Sequence, residues 1–260
     1  MTILDQLAEH ARERVAQAKA VKPFSEISRE AMALSRGDFS FEKALAGPEL
    51  ALICECKKAS PSRGLIASSF PYLEIALDYE AAGANAISVL TEPKWFLGSD
   101  DYLRSIAGSV SLPCLRKDFT VDAYMLYEAK LLGAASVLLI CAILEEAQIR
   151  DYLQICDALG LSALVETHDE AEIESALRAG ARIIGVNNRN LKDFSVDTGT
   201  SRRLRSLIPG NVLFVSESGI HSREDIQAAC EIGVDAVLVG EALMCARNRR
   251  EKLAELRRGA

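Results

Sequence analysis

Glycine residues mark the ends of amphipathic stretches along this chain, and an apolar run follows each of them within a few residues. This arrangement occurs five times, at Gly83, Gly133, Gly160, Gly180 and Gly233. Glycine suits the residue after a helix because that position often adopts a left-handed conformation that a β-carbon disfavours. Each junction therefore predicts a helix, its cap and then a buried strand.

Eight short apolar runs are spaced along the chain, each nearly continuous in hydrophobic residues as parallel strands buried on both faces should be. They cover residues 51–56, 86–90, 113–116, 136–140, 163–165, 183–186, 212–216 and 236–239. Amphipathic stretches lie between them, including residues 72–82, 123–132, 145–159 and 171–179. This alternation favours a closed (β/α)8 TIM barrel, which typically takes about 250 residues. An open doubly wound sheet is the alternative, but no Gly-x-Gly-x-x-Gly motif follows any of the runs.

A long amino-terminal extension precedes the first predicted strand. Apolar residues recur there at helical spacing, with charged residues between them, at Leu4, Leu7, Ala11, Val15 and Ala18. The spacing predicts an amphipathic helix over residues 2–20, which must cover an apolar surface. That surface is either the bottom of the barrel, as a plug, or the rim of its mouth, as a lid. We expect residues 1–48 to form a helical extension packed on a barrel of residues 49–260.

The composition excludes several classes of protein. Hydrophobic residues make up 49% of the chain and charged residues 26%, the balance of a globular protein with ample core. The net charge of -7 and the scattered basic residues argue against a nucleic-acid partner. No apolar run approaches the about 18 residues of a membrane span, and the first residues lack a secretory signal pattern. We expect a cytoplasmic protein with no membrane partner, present as a monomer or a weak homo-oligomer.

The seven cysteines favour buried reduced thiols over disulfides, because their number is odd and most lie in apolar patterns. Cys54 and Cys56 are the nearest pair, and no second cluster of cysteine or histidine completes a zinc site. The three histidines are too far apart in sequence to form a local metal motif. We therefore expect no metal and no cofactor.

Charged or amide residues end five of the apolar runs. Glu55 and Lys57 follow the first run two residues apart, on one face of the strand, and make a candidate acid/base pair. Lys117 and Asp118 follow the third run, and Glu166 follows the fifth. Asn187 and Arg189 follow the sixth run, and Glu217 and Ser218 follow the seventh. A single such end is more often a structural ion pair. In a barrel, however, all of them meet at one rim, and this convergence predicts a catalytic site.

Two later segments predict a phosphate site. Residues 216–220 (SESGI) and 239–242 (VGEA) place Gly219 and Gly240 directly after the seventh and eighth runs. Backbone N–H groups can approach a ligand closely at glycine, and barrel enzymes bind phosphate between these two loops. The sequence therefore predicts that the substrate is a phosphate ester.

Taken in order, these segments resemble the indole-3-glycerol phosphate synthase family of tryptophan biosynthesis. The resemblance rests on residues 55–62 (ECKKASPS), 90–92 (LTE), 95–98 (WFLG), 112–119 (LPCLRKDF), 164–166 (LVE), 185–191 (GVNNRNL), 216–220 (SESGI) and 239–244 (VGEALM). It implies a carboxy-lyase that closes 1-(2-carboxyphenylamino)-1-deoxyribulose 5-phosphate to indole-3-glycerol phosphate, with loss of carbon dioxide and water. One departure is Glu241, where many members have serine beside the phosphate.

The resemblance also implies roles for the residues on the rim. Lys117 is expected to act as the cationic acid at the ribulose carbonyl, and Glu166 and the Glu55–Lys57 pair divide the remaining acid and base roles. Lys57 and Arg189 are expected to hold the substrate carboxylate, while neighbouring groups are oriented by Asn187 and Glu217. The other implied substrate contacts are Ser60, an apolar wall of Phe96, Phe119 and Leu191, and a phosphate loop of Ser218, Gly219, Gly240 and Glu241.

Two other functions remain in view. A barrel isomerase similar to phosphoribosylanthranilate isomerase would use a cysteine base after the first strand, where Cys56 lies, and an aspartate acid after the sixth. Asn187 stands at the second position, and an amide does not donate that proton usefully. A non-catalytic barrel that binds a phosphate ligand would keep Gly219 and Gly240 but would have no use for Lys117 beside Glu166.

Overall fold

The computed structural model describes residues 2–190 and 194–259, in which eight parallel strands close into a barrel. The strands are β1 Ala51–Cys56, β2 Ala86–Leu90, β3 Cys114–Lys117, β4 Ser136–Ile140, β5 Ser162–Thr167, β6 Ile183–Asn187, β7 Leu213–Glu217 and β8 Ala236–Val239. Each strand pairs with the next along the chain, and β8 closes the barrel on β1. The predicted TIM barrel is confirmed, and every predicted strand end lies within two residues of the observed one.

Helices surround the barrel and connect successive strands. The first three, α1 Ile3–Val21, α2 Phe24–Ala33 and α3 Ser40–Leu45, precede β1. The others are α4 Tyr72–Ala81, α5 Asp100–Ala107, α6 Tyr124–Leu131, α7 Glu146–Leu159, α8 Glu170–Ala179, α9 Gly199–Leu204, α10 Arg223–Glu231, α11 Glu241–Met244 and α12 Arg249–Arg257. The five predicted glycine junctions all have φ between 68° and 96°, the left-handed conformation that ends a helix.

Side chains of each strand alternate between two separate cores. Residues such as Ile53 point into the barrel, whereas Leu52, Cys54 and Cys56 pack outward against the surrounding helices. Because the strand period is two, Glu55 and Lys57 share the inward direction with Ile53. The alternation therefore directs the charged strand ends into the mouth of the barrel and keeps Cys56 out of it.

The extension before β1 covers both ends of the barrel with different helices. From α3, Phe41 and Leu45 are fully buried in the interior beside the first residues of the strands. The backbone N–H of Glu42 also donates to Ser162 Oγ at 3.2 Å, at the start of β5. From α1, in contrast, Leu4 and Leu7 line the pocket at the opposite end. Of the two positions weighed for the helix over residues 2–20, α1 therefore occupies the rim of the mouth, and the bottom is closed by α3, which the sequence analysis did not consider.

The cysteines depart in part from the expectation of burial. Cys54, Cys56, Cys114 and Cys156 are buried and Cys141 is half-buried, but Cys230 and Cys245 are exposed. Burial raises the pKa of the Cys56 thiol well above its ordinary value. None of the described helices combines the length and apolar character needed to cross a membrane.

Candidate active site

A single deep pocket lies at the carboxyl ends of the strands and holds the residues singled out from the sequence. Its lining includes Glu55, Lys57, Ser60, Phe96, Lys117, Phe119, Glu166, Asn187, Arg189, Glu217, Ser218, Gly219, Gly240 and Glu241. Leu191 lies outside the described residues. The register of the sheet explains this convergence, because Asn187 pairs with Glu217 and Leu90 with Lys117 at one level of the barrel.

Lys117 lies between two carboxyl groups at the floor of the pocket. Its Nζ is 3.2 Å from Glu166 Oε2 and 3.8 Å from Glu217 Oε2. Burial disfavours the ammonium form, but the nearby carboxyl groups, first of all Glu166, outweigh it and raise the pKa of Lys117 above its ordinary value. Lys117 is therefore a permanent cation at neutral pH.

The two carboxyl groups beside Lys117 differ in protonation. Burial opposes ionisation of Glu166, but Lys117 and His168 outweigh it and hold the pKa of Glu166 below its usual range. Asn187 Nδ2 also donates to Glu166 Oε1 at 3.2 Å. Burial and the neighbouring Glu166 instead raise the pKa of Glu217 to about 8. The surroundings therefore favour the ionised form of Glu166 and the protonated form of Glu217.

Glu55 and Lys57 form a second charged pair on the opposite side of the mouth. Lys57 Nζ lies 2.5 Å from Glu55 Oε1, and Ser88 Oγ donates to Glu55 Oε2 at 3.5 Å. Gly240 makes room for this pair, because a β-carbon there would clash with Glu55 Oε1 and lie 3.1 Å from Lys57 Nζ. Gly240 therefore has a steric function in addition to any backbone contact with substrate.

Gly185 likewise makes room for the side chain of Glu217, a role that the sequence analysis did not identify. A β-carbon at Gly185 would clash with Glu217 Oε1 and lie 3.1 Å from Leu164 Cδ1. A glycine inside an apolar strand often marks close approach by another group, so the signal was present in the β6 sequence. The identity of that group required the fold.

Asn187 orients the loops that follow β6 and β7. Its Oδ1 accepts a hydrogen bond from the backbone N–H of Arg189 at 3.0 Å and another from Ser218 Oγ at 2.9 Å. Ser218 and Gly219 have φ values of 67° and 87°, so the chain turns sharply there in the left-handed region. The buried Asn188 supports this turn by donating to the Ser218 carbonyl at 3.1 Å.

An aromatic wall closes one side of the pocket. The rings of Phe96 and Phe119 have centroids 6.0 Å apart and are inclined by 41°. Leu138 and Ile140 of β4 and Phe194, residues that the sequence analysis did not single out, also line the pocket. The pocket thus offers an apolar surface for a ring beside a charged floor.

Glu241, at the start of α11, has a cationic partner that the sequence did not indicate. It forms an ion pair with Arg63, 178 positions away, and its Oε2 lies 4.0 Å from Arg189 Nη2. The hydrogen bond from Arg63 lowers the pKa of Glu241. Its negative charge is therefore partly balanced within the protein.

Comparisons with known proteins point to one family. A profile of the indole-3-glycerol phosphate synthase family matches residues 4–256. The indole-3-glycerol phosphate synthase of Ruminiclostridium cellulolyticum is 55% identical over 99% of this chain and 100% of that protein. The enzyme of the same name from Endomicrobium trichonymphae is 51% identical over 98% of this chain and 99% of its own length.

Solved structures with little sequence identity share the fold. Thiamine phosphate pyrophosphorylase from Pyrococcus furiosus matches with a TM-score of 0.61 at 16% identity, over 84% of this chain and 96% of that one. The 3-hexulose-6-phosphate synthase of Salmonella typhimurium also gives 0.61, at 15% identity, over 81% of this chain and 98% of the other. The matches along the full chain confirm the resemblance seen in its motifs: this chain belongs to the indole-3-glycerol phosphate synthase family.

Proposed function

We propose a division of labour in this pocket for the family's reaction, the closure of 1-(2-carboxyphenylamino)-1-deoxyribulose 5-phosphate to indole-3-glycerol phosphate with loss of carbon dioxide and water. The chain is an enzyme of that family, a carboxy-lyase of tryptophan biosynthesis. The proposal rests on one observation: Lys117 Nζ lies 3.2 Å from Glu166 Oε2 and 3.8 Å from Glu217 Oε2 on the floor of an apolar-walled pocket.

Substrate binding uses three parts of the pocket. Phe96 and Phe119 contact the anthranilate ring. The substrate carboxylate lies against the cations Lys57 and Arg189, both of which line the pocket. The phosphate binds at the backbone turns of Ser218, Gly219, Gly240 and Glu241, and Ser60 contributes from the loop after β1. The left-handed turn at Ser218 and Gly219 supports the phosphate position, because consecutive N–H groups in such turns can converge on an anion.

Ring closure begins at Lys117. As the ring carbon bearing the carboxylate attacks the ribulose carbonyl carbon, the carbonyl oxygen gains negative charge and takes a proton from the Lys117 ammonium. The bond to the carboxyl carbon then breaks, carbon dioxide leaves, and the electron pair restores the benzene ring. The departure of carbon dioxide frees Lys57 from the carboxylate.

Dehydration then introduces the double bond that makes the second ring aromatic. Lys57, held by Glu55, gives a proton to the departing hydroxyl group, which leaves as water. Glu166 takes the proton from the adjacent carbon, and the electron pair of that bond forms the new double bond. Because Glu166 Oε2 lies 3.2 Å from Lys117 Nζ, this proton returns to Lys117 and resets the acid. The substrate thus receives two protons and gives up one. The protein makes good this net loss of one proton when Lys57 is protonated again from solvent.

The isomerase alternative is disfavoured by the position of Cys56. The residue is 1% exposed and packs in the outer core rather than the pocket. Burial also raises the pKa of its thiol well above the ordinary value, so it is not a base at neutral pH. A silent phosphate-binding barrel would not need a buried lysine between two carboxyl groups, whose desolvation is costly.

The test is Lys117→Met, which keeps the length of the side chain and removes its proton. We expect turnover, followed by the fluorescence of indoleglycerol phosphate, to fall at least about a hundredfold, the range for a general acid. Substrate binding by the variant, followed in a separate titration, should change little. Turnover near that of the wild type would remove Lys117 from the mechanism.

The organisation of the molecule completes the proposal. We infer that residues 1–48 act as an extension of the barrel of residues 49–260, and that the protein works in the cytoplasm as a monomer or weak homo-oligomer. The odd number of cysteines, most of them buried, supports a reducing compartment. Sedimentation across a range of concentrations and fractionation of cells test the assembly and the location.

A further inference from the structure

His168 lies just outside the pocket, two residues after Glu166, and connects that carboxylate to a second one. Its Nε2 is 3.4 Å from Glu166 Oε1, and its Nδ1 is 3.0 Å from Glu172 Oε2 on α8. The backbone N–H of His168 also donates to Glu172 Oε2 at 2.8 Å. The imidazole is therefore held on one side by α8 and aims its free nitrogen at Glu166.

Burial distinguishes this arrangement from a surface ion pair. The side chains of Glu166, His168 and Glu172 are 3%, 17% and 21% exposed. Water therefore screens the contact with Glu166 poorly, and His168 Nε2 has no hydrogen-bond partner within the described part of the chain. The neighbour available to neutralise a proton on Nε2 is the Glu166 carboxylate.

We propose that His168 is a positioning residue for Glu166: as an imidazolium oriented by Glu172, it keeps the Glu166 carboxylate ionised and leaves its other oxygen toward Lys117. The proposal rests on the assignment of Glu166 as the base in the preceding section. It adds two residues, His168 and Glu172, that do not touch the substrate and act through Glu166.

The charges around His168 favour the protonated ring. The groups that face the cluster from the surrounding elements are Glu166 of β5, Glu172 and Asp169 of α8, Cys141 after β4, Lys117 of β3 and Glu217 of β7. Burial alone would lower the pKa of His168, but its contacts with Glu166 and Glu172 raise it to about 10. Burial and these carboxylates raise the pKa of Cys141 to about 12, so that residue stays a neutral thiol.

The geometry assigns different tasks to the two oxygens of Glu166. Oε1 is occupied by Asn187 Nδ2 at 3.2 Å and by His168, whereas Oε2 lies 3.2 Å from Lys117 Nζ on the floor of the pocket. Without the cation at His168, Glu166 would lose one of its two positive neighbours. An opposite charge within 4–6 Å typically lowers the pKa of a carboxyl by about 1–3 units, so its removal should raise that pKa by a similar amount.

The experiment compares His168→Gln with Glu172→Gln over pH 5 to 9. Glutamine at 168 keeps an amide N–H but cannot become a cation. We expect the acid limb of the kcat profile to lie about 1–3 pH units higher in His168→Gln than in the wild type, which raises the ratio of kcat at pH 8 to kcat at pH 5, with KM changed less than about threefold. Glu172→Gln keeps a side-chain oxygen that can accept a hydrogen bond from His168 Nδ1, and it leaves His168 protonated at pH 5. Its ratio of kcat at pH 8 to kcat at pH 5 should therefore stay within about twofold of the wild-type ratio.

A direct measurement accompanies the kinetics. In a proton NMR titration of the wild type, the resonance of the His168 ring, identified by its disappearance in His168→Gln, should show no titration between pH 6 and 8.5. Titration near pH 6.5, or an unchanged kcat ratio in His168→Gln, would overturn the inference. A third variant, Glu166→Gln, tells whether the inference about His168 fails alone or together with the assignment of Glu166 as the base. Near-normal kcat in Glu166→Gln would refute both. Loss of kcat in Glu166→Gln, with a wild-type pH profile in His168→Gln, would refute only the positioning role.

Discussion

Glu166 and Glu217 are two glutamates of one pocket, on β5 and β7 with β6 between them, and their surroundings shift their pKa values in opposite directions. Both are almost fully buried and both approach Lys117, but Glu166 has the shorter contact and the additional cation His168. Glu217 Oε1 lies above Gly185 without a hydrogen-bond partner among the described residues. The ionised form of the same side chain is thus favoured in one position and disfavoured in the other.

The protonation of Glu217 should be visible in the stability of the protein. Its folded pKa of about 8 lies above the ordinary 4.5, so the folded state binds a proton that the unfolded state has lost between those values. Stability from this group is present below pH 4.5 and falls as pH rises through 8. We expect Glu217→Gln to raise Tm relative to the wild type by at least about 2 °C at pH 8, and by much less at pH 5.

The matched control for this prediction is Glu9→Gln, because Glu9 is exposed on α1. Its Tm difference from the wild type should be small and similar at both pH values. Scans at one fixed heating rate would make the comparison. A Glu217→Gln difference that does not grow with pH would show that Glu217 is ionised in the folded protein at neutral pH.

The second residue-scale prediction concerns Glu241 and its partner Arg63. Serine at 241 would remove a carboxylate from the proposed phosphate site and free Arg63 to attract the phosphate. We expect Glu241→Ser to lower KM by a few-fold with kcat almost unchanged, and the gain to shrink as salt rises, since charges farther apart than roughly 8 Å are screened at physiological ionic strength. Steady-state kinetics at two salt concentrations measure both.

Arg63→Gln is the complementary change. It leaves the Glu241 carboxylate without its partner, so KM should rise and the rise should also weaken with salt. A Glu241→Ser enzyme that loses kcat at constant KM would instead place Glu241 near the reacting carbons, and the assignment of this loop to phosphate would be withdrawn.

At the scale of elements, polar contacts attach α1 to the loops at the mouth of the barrel, and two of them involve buried carboxylates. Arg14 donates to both carboxylate oxygens of the buried Asp118, at 2.6 and 3.1 Å, and Asp118 directly follows Lys117 in the sequence. His10 Nδ1 lies 3.2 Å from Glu92 Oε1, and Glu92 Oε2 accepts the backbone N–H of Phe96 at 3.0 Å. The helix therefore contacts the two loops that hold the aromatic wall.

Loss of the Arg14 contact should weaken both the fold and substrate binding. Arg14→Met leaves Asp118 buried with Arg116 Nη2 4.0 Å away as its remaining cation. Removing one partner of a buried ion pair costs about 3 kcal/mol, and we expect a loss of that order in the free energy of unfolding. KM should rise as well, because Leu4 and Leu7 of α1 line the pocket. Denaturant unfolding and steady-state kinetics test the two effects.

Arg12→Met provides the control on the same helix. Arg12 pairs with Glu9 at the surface, where both side chains are more than half exposed, and such pairs contribute little. Similar losses in the Arg12 and Arg14 variants would mean that any change to α1, rather than the contact with Asp118, disturbs the protein.

At the scale of the whole molecule, the site is a collection of lysines, carboxyl groups and amides that needs no bound metal for the proposed proton transfers. Groups of three or more histidine, cysteine, aspartate or glutamate side chains arranged to hold an ion do not occur among residues 2–190 and 194–259. We expect dialysis against a chelator to leave the rate of indoleglycerol phosphate formation unchanged. Activity that is lost and then restored by one particular metal would contradict this.

The sequence by itself determined the barrel and the direction of the charged side chains at its strand ends. Both follow from local rules: glycine at 160 or 180 ends a helix through its left-handed φ, and the period of two turns Glu55 and Lys57 inward while Cys56 turns outward. Parallel strands in a closed barrel then bring their carboxyl ends to one rim, however far apart they are along the chain.

The tertiary structure decided which groups meet across long separations and how they share charge. Arg14 and Asp118 are 104 positions apart, and nothing in the periodicity of α1 shows which end of the barrel it covers. His168 was passed over because a lone histidine has no local metal spacing, and its role depends on Glu172 one helical turn further on. The opposite protonation of Glu166 and Glu217 likewise depends on burial and on distances to Lys117. Local pattern fixes where a side chain points, but its ionisation depends on the charges and the solvent that the folded chain places around it.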